Sequence, residues 1–174
     1  MLDEATVERL RRLVRSGGSV VVAAGPSRVG KSTLADALAG ELPAETARVY
    51  VRGSYETFDF VGAAEAAGGT RTALLVNEIS PHLPIYLWGQ GARRVLGLAR
   101  YGAQVIATMH ADSPEEVIYQ LARQPVGATP DEIAALASVV FLGPASEDGN
   151  RWKVVRIVRL HSTGHGILVD EIGA

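Results

Sequence analysis

Apolar positions along the chain fall into short β-branched runs separated by helical patterns. Val7, Leu10, Leu13 and Val14 share one face of a helix that Asp3 is placed to cap and that Gly17-Gly18 ends. Ser19–Ala24 (SVVVAA) is a continuous apolar run, the mark of a buried strand, and Thr33–Ala39 reads as a helix closed by Gly40 and Pro43. Ala47–Val51 predicts a second strand. Residues 52–72, broken by Gly53, Gly62, Gly68 and Gly69, predict a short helix around 59–67. Thr72–Glu78 is an apolar strand ending in a carboxylate, a helix is predicted over about 88–101, and Ala103–Met109 is another buried strand. Ser113-Pro114-Glu115-Glu116 and Thr129-Pro130-Asp131-Glu132 each carry the start signals of a helix. A hydroxyl sits at the N-cap, proline at the first position and Glu at the third, as in a capping box.

The end of the chain has a different rhythm. Val139–Leu142 and Trp152–Leu160 are strand-like runs joined by the polar turn Ala145–Asn150, whose Asp148-Gly149 is a hairpin signal. Ile167–Asp170 predicts one more edge strand. Strands alternate with helices early and give way to a hairpin late. This predicts an α/β fold with a mostly parallel sheet, helices on both faces and an antiparallel C-terminal hairpin. No internal repeat, low-complexity segment or linker interrupts the pattern.

Between the first strand and its helix lies G-x-x-x-x-G-K-S, Gly25 to Ser32. Strand, glycine loop and helix in that order is the context of a phosphate-binding P-loop. Glycine at 25 and 30 frees the backbone to curl successive N–H groups around a phosphate, and the helix N-terminus adds unpaired donors and positive dipole character. Gly25, Pro26, Ser27, Arg28, Val29, Gly30, Lys31, Ser32 and Thr33 are the expected nucleotide-binding residues. In this motif Lys31 reaches the β- and γ-phosphates and the Ser32 hydroxyl ligates Mg²⁺.

Composition narrows the rest. At 174 residues, 47% hydrophobic and 21% charged, with a mean hydropathy of +0.13, the chain is expected to form one domain with a proper core over residues 1–174. A formal net charge of −2 leaves generic nucleic-acid binding without electrostatic support. With no cysteine, disulfides and thiolate metal sites are excluded. The N-terminus is too charged for a signal peptide, and no apolar run approaches the roughly 20 residues of a membrane span, so a cytoplasmic protein is expected. The basic face of the first helix (Arg9, Arg11, Arg12, Arg15) reads as solvated surface.

In an open α/β sheet ligands sit at the carboxyl ends of the strands, where Asn77-Glu78, Thr108 and His110 join the glycine loop. Glu78 is the candidate to hold the Mg²⁺ shell or to orient and activate a water. Asn77 stands where an acid is usual, which argues against direct metal coordination there. His110 is a candidate to sense the γ-phosphate or to hydrogen-bond Glu78. His82, His110, His161 and His165 show no zinc spacing.

Together these stretches resemble the secretion and type IV pilus ATPase family. LRRLVRSGGSVVVAAGPSRVGKSTL is similar to its entry into the P-loop, and LLVNEI to its Walker B strand, which puts Glu78 on the catalytic glutamate. LARYGAQVIATMHADSPEEVIYQLAR resembles its histidine box, with His110 on the family histidine, and GATPDEIAALASVVFLG and GNRWKVVRIVRL resemble the segments that follow. The likeness covers about residues 9–160. It implies a RecA-like P-loop NTPase, a three-layer sandwich that binds ATP and Mg²⁺ and hydrolyses ATP with Glu78, Lys31 and His110 as catalytic residues. It also implies a homo-oligomeric ring or a place in secretion or pilus machinery.

Several positions depart from that family. The paired acids expected after the second strand are reduced to Glu56 and Asp59, Ser80-Pro81 replaces an Arg-Asp pair, and Arg28-Val29 stand where small residues are usual. Arginines normally brought by an N-terminal domain have substitutes only in Arg48, Arg52 and Arg71, so slow hydrolysis awaiting another copy or a partner is expected. Two other readings stay open. One is a small-molecule P-loop kinase with Glu56 or Asp59 as base and Arg93, Arg94 and Arg100 as a lid; the other is a nucleotide binder without turnover. The Pro81–Gly91 loop, with Tyr86 and Trp88, is either a partner surface or folded onto its own domain.

Overall fold

A computed structural model describes residues 4–61, 71–145 and 151–173. The first helix, α1 (Glu4–Arg15), buries Thr6, Leu10 and Val14. Gly17, at φ +93°, ends it: the Gly18 amide donates to the Leu13 carbonyl and the Gly17 amide to that of Val14, a Schellman closure. Buried Gln104 reinforces this end, its Nε2 donating to the carbonyls of Val14 and Gly18 at 2.9 Å each. The chain then enters β1 (Val20–Ala23), all four residues of which are buried.

The remaining elements follow in the predicted order: α2 (Lys31–Gly40), β2 (Ala47–Val51), a 3-10 turn (Gly53–Tyr55), β3 (Thr72–Ile79), α3 (Gln90–Arg100), β4 (Gln104–Met109), α4 (Pro114–Ala122), α5 (Pro130–Ala134), β5 (Ser138–Pro144), β6 (Trp152–Ser162) and β7 (Ile167–Gly173). One seven-stranded sheet has the order β2-β3-β4-β1-β5-β6-β7. The first five strands in that order are parallel, and β6 and β7 add on as an antiparallel hairpin. Asp3, most of the helix expected around 59–67 and turn residues 146–150 lie outside the described residues.

Alternation along each strand splits the apolar side chains between two cores. Val21, Leu74, Val105 and Val139 face one side, where α3, α4 and α5 supply Leu96, Leu121 and Ile133. Val20, Val22, Leu75 and Val140 face the other, where α1 and α2 supply Leu10, Val14 and Leu38. Helices therefore cover both faces, as the pattern predicts, and β1 is the middle strand of the seven, with its carboxyl end flanked by those of β4 and β5. Among the described residues, no helix is long and apolar enough to cross a membrane.

The two proline-initiated helices start as predicted, with one difference. At α5, Thr129 Oγ1 accepts from the Glu132 amide and Glu132 reaches back to the Thr129 amide, a full capping box. At α4, Ser113 accepts from the Glu116 amide at 3.1 Å, but the Glu116 carboxylate extends one residue further and takes the Asp112 amide at 2.8 Å.

Candidate functional site

The loop between β1 and α2 is held open by two different devices. Gly30, at φ +93°, is the turn into α2 and uses glycine's left-handed freedom. Gly25 is needed for space instead. A Cβ there would lie 2.2 Å from the Asp112 carboxylate, which accepts the Gly25 amide at 2.7 Å. Between them, Arg28 takes φ +62° with its side chain in solvent, and Val29 is buried and anchors the loop. The unusual Arg28-Val29 pair thus has a structural use, one residue turning the chain and the next pinning it.

Lys31, the first residue of α2, is buried and folds back on the loop. Its Nζ lies 3.2 Å from the Pro26 carbonyl and 3.4 Å from that of Ala24. Burial lowers its pKa, and the nearby carboxylates of Glu78 and Asp112 work in the opposite direction. Ser32 and Thr33 are exposed. Residues 27–33 line a cleft of about 550 Å³ together with Glu78, Tyr86 and His110. Seven of the nine residues expected on the loop therefore line this cleft, and Gly25 and Pro26 do not.

Glu78 reaches the cleft through an irregularity in β3. The β3–β4 register shifts between Val76 and Ile79, and Glu78 is buried while Asn77 is exposed. Thr108 Oγ1, on β4, lies 2.5 Å from the Asn77 carbonyl and 3.1 Å from Glu78 Oε2. Glu78 Oε1 is buried and has no hydrogen-bond partner among the described residues. His110 Nε2 approaches it to 3.1 Å outside hydrogen-bond geometry. The Gly25 carbonyl can only accept, so His110 Nδ1, 2.9 Å away, carries a hydrogen and donates it. The His110 carbonyl is in turn held by Gln120 Nε2 at 2.7 Å. Glycine loop, β3 and β4 thus meet around one carboxylate oxygen that is free to accept.

Asn77 lines a separate groove of about 480 Å³ between α2, β2 and β3, which also contains Asp36 and Arg48 and touches the cleft at Ser32. The other arginines singled out in the sequence are engaged elsewhere. Arg52 pairs with Glu56, and Arg71 donates to the Arg15 carbonyl at the amino end of β3, the opposite edge of the sheet. Arg93 and Arg100 pair with Glu132 and Asp131, and Arg94 lies over the Phe58 ring. Among the described residues, Arg28 is the one arginine that lines the cleft. The acids after β2 are also occupied. Glu56 accepts the amides of Arg52 and Phe58, which hold its pKa below the ordinary carboxylate value against the effect of burial, and Asp59 accepts from Thr57.

The Pro81–Gly91 loop divides in two. Leu87 is buried and bridges Ile79, Trp88 packs on the core and Tyr86 lines the cleft, whereas residues 81–85 are exposed, Leu83 and Ile85 among them. His161 pairs with Asp170 on the β6–β7 hairpin, and no group of metal-ligating side chains occurs among the described residues. The contacts of Asp112 and Gln120, and that of His82 with Ser80, have no signal in the sequence. Asp112 meets Gly25 across 87 positions of sequence, a separation no local pattern bridges.

No protein-family model and no curated protein matches the chain. Among solved structures it is similar to the VirB11 ATPase from the Brucella suis type IV secretion system, crystallised in complex with sulphate. The TM-score is 0.62 and the identity 23%, and the match covers 89% of this chain and 53% of that one. The chain thus shares its fold with that ATPase over about half of the latter's length.

Proposed function

We propose that residues 1–174 act as a single RecA-like ATPase domain that binds ATP with Mg²⁺ in the cleft over residues 27–33 and hydrolyses it. The observation that carries this reading is that Glu78, whose Oε1 has no hydrogen-bond partner among the described residues, lines one cleft with the glycine loop and Lys31. Loop amides and the α2 N-terminus suit phosphate oxygens, and Lys31 needs only to leave two backbone carbonyls to reach them. Sulphate in the VirB11 crystal is a tetrahedral anion of the same kind.

The donor set fits a magnesium nucleotide. The Ser32 hydroxyl is exposed at the cleft as the protein's ligand to Mg²⁺, which when bound neutralises charge on the terminal phosphates. Thr108 occupies Glu78 Oε2 and leaves Oε1 to accept a hydrogen from the attacking water. His110, tied to the Gly25 carbonyl and close to Glu78, links the state of the loop to the carboxylate. Arg28 alone lines the cleft among the arginines described, so full rate calls for an arginine from a second copy or a partner. A kinase reading loses support because Glu56 and the α3 arginines are already engaged.

The test is phosphate release from Mg-ATP across protein concentrations, beside nucleotide binding measured by calorimetry. Turnover per chain should rise with concentration. Glu78→Gln should lower it by about 100-fold or more while binding persists. Binding without release at any concentration would leave a nucleotide-binding protein and overturn hydrolysis.

A further inference from the structure

His110 is restrained on three sides by groups already described, and a fourth contact comes from an unexpected element. The ring of His82 meets the His110 ring edge-on, with centroids 4.7 Å apart and an interplanar angle of 63°. His82 does not line the cleft and is largely in solvent, yet it is itself fixed. Buried Ser80 Oγ accepts the His82 amide at 3.1 Å and lies 2.5 Å from His82 Nδ1. With that amide donating to it, the hydroxyl's own hydrogen is free to donate to Nδ1 and set the rotation of the ring.

Ser80 is in turn tied to the strand that carries Glu78. The Ser80 amide donates to the Leu87 carbonyl and the Leu87 amide to the Glu78 carbonyl, both at 3.1 Å, beside the Ile79–Leu87 bridge. One short turn thus fastens Glu78 at one end and presses an imidazole against His110 at the other.

We propose that His82, locked by Ser80, is a positioning residue that holds the His110 imidazole in register with Glu78 Oε1 and the Gly25 carbonyl. It acts through His110 and touches no substrate. The inference rests on the proposed ATPase reading for its effect on rate, but its structural half can be tested without nucleotide.

The experiment pairs steady-state kinetics with nitrogen-15 NMR of the histidine side chains in wild type, His82→Ala, His82→Phe and Ser80→Ala. The His110 Nδ1–H resonance is assigned by its loss in His110→Gln. Both His82→Ala and Ser80→Ala should weaken or shift that resonance and lower kcat by about 10- to 100-fold, with KM for ATP unchanged. His82→Phe, which keeps the ring edge, should recover most of both. Ser80→Ala carries the test alone if His82→Ala loses its far-UV circular dichroism. An unchanged His110 resonance in the alanine variants overturns the proposal, whether or not kcat falls. If wild type binds ATP without turnover, the ATPase reading fails and the resonance alone decides this one.

Discussion

At Lys31 the proposed phosphate contact would be set against the stability of the fold. The lysine is buried with two backbone carbonyls at its ammonium, and burial lowers its pKa from the ordinary 10.5 against the pull of the Glu78 and Asp112 carboxylates. Below the lowered value both folded and unfolded chains carry the proton, and the fold bears the whole cost of a buried charge. Between that value and 10.5 the unfolded chain binds more protons, so stability rises as pH rises through this window. Lys31→Met should remove this rise and leave the fold at neutral pH within about 1 kcal/mol of wild type or above it. Urea midpoints across an alkaline pH series check the sign. The same variant should weaken nucleotide binding by about 10- to 100-fold, because a charge-assisted contact to phosphate is lost. A stability loss with unchanged binding would make Lys31 a structural residue.

At the scale of elements, the two capped helices separate support of the site from support of the fold. The start of α4 is continuous with the cleft wall. Ser113 holds the Glu116 amide, Glu116 holds the Asp112 amide, and Asp112 holds Gly25. The capping box of α5 ends in an ion pair between Glu132 and Arg93 and touches no cleft residue. Ser113→Ala and Thr129→Ala should each cost about 1 kcal/mol, the usual worth of such a cap. Only Ser113→Ala should also weaken nucleotide binding, since it loosens the chain of contacts that ends at Gly25. Paired urea melts and calorimetric titrations distinguish the two helices, and equal binding in both variants would deny α4 its part in the wall.

For the whole molecule, one sheet joins two cores, and β1, β3 and β4 contribute side chains to both. Neither core can dissolve while the other stays intact, because the strands between them are shared. Unfolding should therefore be a single cooperative transition, with the fluorescence of the two tryptophans, Trp88 packed on one core and Trp152 on β6, coincident with far-UV circular dichroism. Separate midpoints would show that the hairpin β6–β7 or one helical layer melts alone. The same shared sheet lets the cleft collect groups from β1, β3 and β4, whose adjacent carboxyl ends carry the loop, Glu78 and His110.

Local chemistry was enough to make most of the elements legible in the sequence. β-branched runs marked β1, β3 and β4, proline and hydroxyl caps marked α4 and α5, and the glycine pattern marked the loop that lines the cleft, because each signal acts over a few residues. The convergence of that loop with Glu78 and His110 was legible too, as all three lie at carboxyl ends of strands. What only the tertiary structure decided depends on contacts between distant segments. The Asp112 carboxylate fills the space beside Gly25, the α3 arginines are tied to α5 and Phe58, and Arg71 lies at the wrong edge of the sheet. His82 was read as a histidine without a metal partner, and its place against His110 depends on a turn that sequence spacing does not encode. Helix caps and strand runs are short-range and additive, whereas a carboxylate's partner or a ring's neighbour is set by how the whole sheet brings its strand ends together.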